Sequence, residues 1–207
     1  MPMKPIKFIY FDVGGVFLNW KKSLKKFANI HEKSEKEVQR VFSKYDNDFC
    51  RGLYTEEEMW SKYRNELKLI DRNPFDHTEF FTKHFVAISE THALAQTLST
   101  THSIGLLTNL HPGSFERIIK KGHIPNLPYK AVIKSYEVGF IKPEPEIYHI
   151  AQKKAGVAAE EILFIDDLEA NIYAAQSLGW QGHVFDEDNP KKSIAVIKKF
   201  FIQKPEV

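Results

Sequence analysis

Near its start the chain carries a mostly apolar run, Ile6-Lys7-Phe8-Ile9-Tyr10-Phe11, which stops at Asp12 and, just beyond it, two glycines. A short run rich in β-branched and aromatic residues, closed by turn formers, predicts a buried strand followed by a tight turn. From Trp20 to about Thr100 the apolar positions change to a helical period. Leu24, Phe27 and Ile30 share one face, as do Val38, Val41, Phe42 and Tyr45, and then Met59, Trp60, Tyr63 and Leu67. Ser34 with Glu37, and Thr55 with Glu58, have the spacing of capping boxes and mark two helix starts. Asn73-Pro74 breaks the run.

After this block the rhythm alternates. Ile104-Gly105-Leu106-Leu107 reads as a buried strand ending at Thr108-Asn109, followed by a helix with Phe115, Ile118 and Ile119 on one face. Ala131-Val132-Ile133 predicts a strand and Glu144 to Ala155 a helix. Ile162 to Ile165 reads as a strand ending at Asp166-Asp167, then Ala170 to Leu178 as a helix. Gly182 to Phe185 is a last strand and Ser193 to Ile202 a closing helix. Short apolar strands alternating with helices predict an α/β fold, a Rossmann-like parallel sheet with helices on both faces. The helical block interrupts it just after the first strand. The expected division is a core of residues 1–16 and 93–207, with a helical insertion over 17–92.

Composition narrows this little further. The 207 residues are 43% hydrophobic and 27% charged, which suits a packed globule rather than a disordered chain. A formal charge of +2 advertises no nucleic-acid partner. No stretch has the length to span a bilayer, and the apolar run before Asp12 is too short for a signal peptide. No obligate protein partner is evident, and the expected location is the cytoplasm. The single cysteine, Cys50, allows no internal disulfide and reads as a small semi-buried side chain.

In open α/β sheets ligands sit at the carboxyl ends of the strands, so the polar residues there carry the chemistry. Asp12, Thr108, Lys142 and the pair Asp166-Asp167 stand out. Each alone is more often a cap, a turn or a surface residue. Together they cohere. Clustered carboxylates repel one another unless a hard cation such as Mg²⁺ lies between them, and Mg²⁺ favours oxygen ligands. A phosphate needs that cation, Lys142 and the Thr108 hydroxyl to approach. Asp12 can then attack phosphorus and form an aspartyl-phosphate that water hydrolyses.

The order of these residues resembles a known family. Phe11-Asp12-Val13-Gly14-Gly15-Val16 is similar to the first motif of the haloacid dehalogenase superfamily of phosphatases, and Leu106-Leu107-Thr108-Asn109 to its second. Gly139-Phe140-Ile141-Lys142-Pro143-Glu144-Pro145 is similar to the third, and Phe164-Ile165-Asp166-Asp167 with Asn171 to the acidic fourth. The resemblance runs from Ile6 to about Phe185, and the helical insertion resembles the family's substrate-selecting cap. It implies a Mg²⁺-dependent hydrolase of a small phosphorylated metabolite, with the sugar-phosphate phosphatase branch the nearest likeness.

By that resemblance Asp12 is nucleophile and metal ligand. Thr108 binds the phosphoryl group, with Asn109 and Gly15 beside it, and Lys142 neutralises it. Asp167 ligates Mg²⁺, with the Gly14 carbonyl. Asp166 is either a ligand through water or the partner of Lys142. Arg51, in the break Phe49 to Leu53, is a candidate substrate contact or a surface arginine. Phe17, Trp20 and Trp60 line the cleft or pack the cap.

The family's second aspartate, its general acid, is replaced by Gly14. Three explanations stand: water or a neighbour such as His111 supplies the proton, the substrate needs little acid help, or the protein binds phospho-ligands with little or no turnover. Other classes fit less well. The acidic pair follows the aspartate rather than preceding it, unlike a signalling receiver domain. It also argues against a metal-free dehalogenase. Neither a G-x-G-x-x-G nor a P-loop is present.

Overall fold

The computed structural model describes residues 4–70 and 75–201. The Asn73-Pro74 break and Ile202 lie outside them. The strands are β1 (Phe8–Phe11), β2 (Leu18–Asn19), β3 (Val86–Ala87), β4 (Ser103–Thr108), β5 (Ala131–Lys134), β6 (Ile162–Asp166) and β7 (Gln181–Val184). Five of them form one sheet in the order β5-β4-β1-β6-β7, and every pairing in it is parallel. A parallel strand covered on both faces has no solvent side, which explains why β1 and β6 are apolar and buried almost throughout.

The helices are α1 (Lys21–Ile30), α2 (Glu35–Cys50), α3 (Glu56–Glu66), α4 (His77–Lys83), α5 (Ser89–Leu98), α6 (Ser114–Lys120), α7 (Ser135–Val138), α8 (Pro145–Ala155), α9 (Glu169–Ser177) and α10 (Pro190–Ile197). One face of the sheet packs Ile9, Phe11 and Leu106 against Ala95 of α5, Ile118 of α6 and Ile197 of α10. The other packs Phe8, Tyr10 and Phe164 against Tyr148 of α8 and Ile172 of α9. A third apolar cluster belongs to α1–α4 and holds Phe27, Val41, Met59, Trp60 and Phe81.

The helical insertion is thus a packed unit with its own core. Two of its helices start where the capping signals stand. Ser34 accepts a hydrogen bond from Glu37 N, and Thr55 with Glu58 forms a reciprocal capping box. The segment is entered at β2 and left at β3, which pair antiparallel with Leu18 opposite Ala87. Helix α5 begins two residues later and packs on the sheet. Ion pairs from α6 reach across: Arg117 meets Glu56 at 2.9 Å and Asp76 at 3.1 Å, and Lys121, its C-terminal flank, meets Glu79 at 2.6 Å.

Candidate active site

Because β1 lies between β4 and β6, its carboxyl end is flanked by both of theirs. Asp12 follows β1 directly and its N–H donates to Ile165 O of β6 at 2.9 Å. Thr108 closes β4 and Asp166 closes β6. Lys142 arrives from the loop after α7, and its backbone is fixed by one side chain. Asn109 Oδ1 accepts from Lys142 N at 2.8 Å while Asn109 Nδ2 donates to Lys142 O at 3.0 Å. Asn109 therefore positions the lysine.

The Lys142 ammonium is buried between two carboxylates, with Nζ 2.8 Å from Asp12 Oδ1 and 2.6 Å from Asp166 Oδ2. Burial works against its charge, but Asp12 and Asp166 outweigh it and hold the group protonated above its ordinary pKa. Asp166 is fully occupied. It accepts from Lys142, from Asn171 Nδ2 at 2.9 Å and from Leu168 N at 2.8 Å. The sequence left open whether Asp166 serves the metal or the lysine, and in this structure it is the partner of the lysine.

Asp12 and Asp167 differ from it. Burial pushes the Asp12 carboxyl up to about 6, with Lys142 opposing and Asp166 adding to the shift. Burial also lifts half-buried Asp167 to about 7, reinforced by repulsion from Asp12 and Asp166. Asp12 Oδ1 is buried, and its contact with Lys142 is an ion pair without hydrogen-bond alignment, so acceptor capacity remains. Carboxylate oxygens of Asp12, Asp166 and Asp167 lie within 4.8 Å of one another. An all-oxygen cluster in which burial makes Asp12 and Asp167 resist ionisation fits a hard divalent cation, with these two the carboxylates still free to ligate.

The two glycines after Asp12 have different reasons. At Gly15 φ is +72°, and a Cβ would stand 2.3 Å from Asp167 Cγ. Only glycine lets that carboxylate close on the β1 loop. At Gly14 a Cβ would meet Trp20 Cδ1 at 3.3 Å, so the indole borders the space where the family's acid would stand.

A cavity of about 220 Å³ opens over this floor. Asp12, Gly14, Asn109, Lys142 and Asp167 line it from the core side. Asp46, Cys50, His77 and Thr78 line it from the helical segment, and His111 from the loop after β4. Thr108 is buried behind it, its hydroxyl making only a 3.5 Å contact with Asn109 O. Of the three aromatic candidates, Trp20 lines the cavity. Phe17 is packed in the sheet core and Trp60 in the helical segment's core.

Arg51 is placed elsewhere. It caps α2 and its guanidinium is engaged by Glu144, with a further hydrogen bond to Gly139 O at 3.3 Å. It is absent from the cavity wall, so its observed role is a tie between the insertion and the Lys142 loop. Sequence reasoning missed Asp46, His77, Thr78 and Ser114, all of which face the cavity. The one available signal was the α2 face formed by Phe42, Asp46, Phe49 and Cys50 at helical spacing.

A parallel sheet with a carboxylate-lined cavity at its carboxyl edge and a helical segment over it defines a class of α/β enzymes. Residues 6–179 match the family of haloacid dehalogenase-like hydrolases, and the chain belongs to that family. It is similar to D-ribitol-5-phosphate phosphatase of Bacteroides thetaiotaomicron, 40% identical over 47 residues, 23% of each chain. The chain spans less than a quarter of the length of the curated relatives it matches. Its fold is similar to a predicted HAD-like family hydrolase from Porphyromonas gingivalis, with TM-score 0.78 and 23% identity over 97% of this chain and 100% of that one. It is also similar to a HAD family enzyme of Bacteroides thetaiotaomicron solved with magnesium and inorganic phosphate, with TM-score 0.69 and 23% identity over 88% and 95%.

Proposed function

We propose that this chain is a Mg²⁺-dependent phosphomonoesterase that hydrolyses a small phosphorylated sugar or polyol through an aspartyl-phosphate on Asp12. The observation that carries the reading is the floor of the cavity. A nucleophile-ready carboxylate lies 2.8 Å from a buried ammonium, beside a second carboxylate free to hold a cation. The phosphatase relative and the neighbour solved with magnesium and phosphate support the same chemistry. A cavity of about 220 Å³ suits a small metabolite, being below the usual range for drug-sized ligands.

In this reading Asp12 and Asp167 hold Mg²⁺, with the Gly14 carbonyl, and the bound ion supplies charge neutralisation at the phosphoryl oxygens. Lys142 balances the phosphoryl charge and keeps Asp12 oriented. Asp166 and Asn109 hold Lys142 in place. Thr108, behind the cavity wall, and Gly15, which lets Asp167 close on the β1 loop, would act from behind the phosphoryl site. Helices α1–α4 act as the cap that shapes the cavity and excludes water.

Gly14 favours one second reading, a phospho-ligand binder with weak turnover or none. Phosphate release from p-nitrophenyl phosphate and from a panel of sugar and polyol phosphates, with and without Mg²⁺, separates the two. The phosphomonoesterase reading expects Mg²⁺-dependent release and a preference for a small polyol or sugar phosphate. Saturable binding of those compounds with no release above background would favour the binder.

A further inference from the structure

Catalysis at this site needs a proton for the leaving oxygen, and position 14 cannot give one. Trp20 already borders the space in question, so the donor has to come from another wall of the cavity. Among the cavity-lining residues, one imidazole carries a carboxylate partner. His111 Nε2 lies 2.8 Å from Asp46 Oδ1, and both side chains are largely covered, 17% and 35% exposed. A carboxylate can only accept, so the contact fixes a proton on Nε2. Nδ1 makes no hydrogen bond among the described residues, so it is the ring nitrogen left open on a residue that lines the cavity.

The ring is held from the cap side. Phe49 packs against it with centroids 4.4 Å apart, and Phe42 at 5.6 Å. Phe42, Asp46, Phe49 and Cys50 form one face of α2, so one cap helix supplies both the packing and the carboxylate. The other groups around His111 do not compete. Cys50 Sγ shares the cluster with Asp46 and His111, but burial raises its pKa well above the ordinary thiol value and keeps it neutral. On α4, burial pushes His77 down to about 3, so it too is uncharged. Of the charged groups sharing the cavity, Asp12, Lys142 and Asp167 belong to the phosphoryl site.

We propose that His111, oriented by Asp46 of the cap, is the acid–base group of this site and takes over the task of the absent aspartate. The proposal rests on the phosphomonoesterase reading. An Asp12 oxygen bonds to phosphorus while the bond from phosphorus to the leaving oxygen breaks. The electron pair stays on that oxygen, and the Nδ1 proton of the His111 imidazolium passes to it. In the second half, neutral Nδ1 takes a proton from water as the water oxygen attacks phosphorus. The phosphorus–Asp12 bond breaks with its electrons returning to the carboxylate, and His111 is an imidazolium again. Asp46 keeps its charge throughout and acts as a positioning residue, in the manner of the carboxylate behind a catalytic imidazole. Since His111 follows a core strand and Asp46 lies on a cap helix, the dyad is complete only when the cap is seated.

The test is the leaving-group dependence of kcat/KM, which reports formation of the aspartyl-phosphate. Wild type, His111→Gln and Asp46→Asn are compared on p-nitrophenyl phosphate, phenyl phosphate and ribitol 5-phosphate with Mg²⁺. The phenolate leaving group of the first needs little acid, and the alkoxide of the last needs it most. We expect His111→Gln to depress the polyol phosphate about 10²-fold more than p-nitrophenyl phosphate, within the range of general acid catalysis. Asp46→Asn, which keeps an acceptor but not the charge, should show the same selectivity to a smaller degree. The double variant should be no worse than His111→Gln. Equal losses on all three substrates would make the pair a mere cap latch and overturn the proposal. Failure of the wild type to release Mg²⁺-dependent phosphate from p-nitrophenyl phosphate would instead remove the hydrolase reading, and the dyad with it.

Discussion

A Cβ at position 15 would stand 2.3 Å from both Asp167 Cγ and Oδ2 and 2.7 Å from Oδ1, in a backbone conformation with φ of +72°. Two penalties therefore meet at one residue, a strained backbone and a displaced carboxylate. Gly15→Ala should push Asp167 away from Asp12 and weaken the cation site. The expected result is a rise of about tenfold or more in the Mg²⁺ Kd by calorimetric titration, worth about 1.4 kcal/mol. An unchanged Kd would mean that Asp167 does not hold the ion. Lys142 gives the converse lesson. Its charge is needed by two buried carboxylates at 2.8 and 2.6 Å, and its place is set by an asparagine thirty-three positions away in sequence. Lysine's reach alone would not have fixed it.

At the scale of elements, what could be read depends on how local the cause is. The strands β1, β4 and β6 announce themselves because burial on both faces demands apolar runs, and the polar residue that ends each run marks the site. The placing of Asp12, Thr108 and the acidic pair at those ends was legible for that reason, whereas Lys142 comes from the loop after α7. The helix starts at Ser34 and Thr55 were legible because capping is chemistry between residues three apart. Strands β2 and β3 are two residues each, too short for any periodicity, and exist because the two crossings between core and insertion run side by side. Asp46, His77 and Thr78 were out of reach for a related cause. Helical period tells which residues share a face, but not which face meets a core built from distant sequence. Arg51 shows the same limit from the other side. Its position at the end of α2 was legible, while its direction, toward Glu144 rather than the cavity, was set by the Lys142 loop.

Among the described residues, α1–α4 pack in a cluster of their own beside the sheet's two, β2 and β3 run between, and the proposed site lies in the cavity the two sides share. No helix among the described residues is long and apolar enough to cross a membrane. In the metal-free protein the carboxyls of Asp12, at about 6, and Asp167, at about 7, lie above their ordinary value. Their neutral forms favour the folded state below the unfolded pKa. That contribution falls away as pH rises through the folded values, because charge is then forced into a buried cluster. A bound cation requires the ionised forms and reverses the penalty. The rise in Tm on adding Mg²⁺ should therefore be small at about pH 5, grow between about pH 6 and 7, and level off near about pH 8. A Mg²⁺ shift independent of pH over that window would contradict the assignment of these carboxylates. Asp12 as the nucleophile is tested most directly by comparing wild type with Asp12→Asn in Mg²⁺-dependent phosphate release from p-nitrophenyl phosphate. That substrate has a good leaving group, so the glycine at position 14 should hardly limit it. We expect turnover by the wild type that needs Mg²⁺ and a loss of about 10³-fold or more in Asp12→Asn, with the variant still folded. A variant that turns over within about tenfold of the wild type would contradict it.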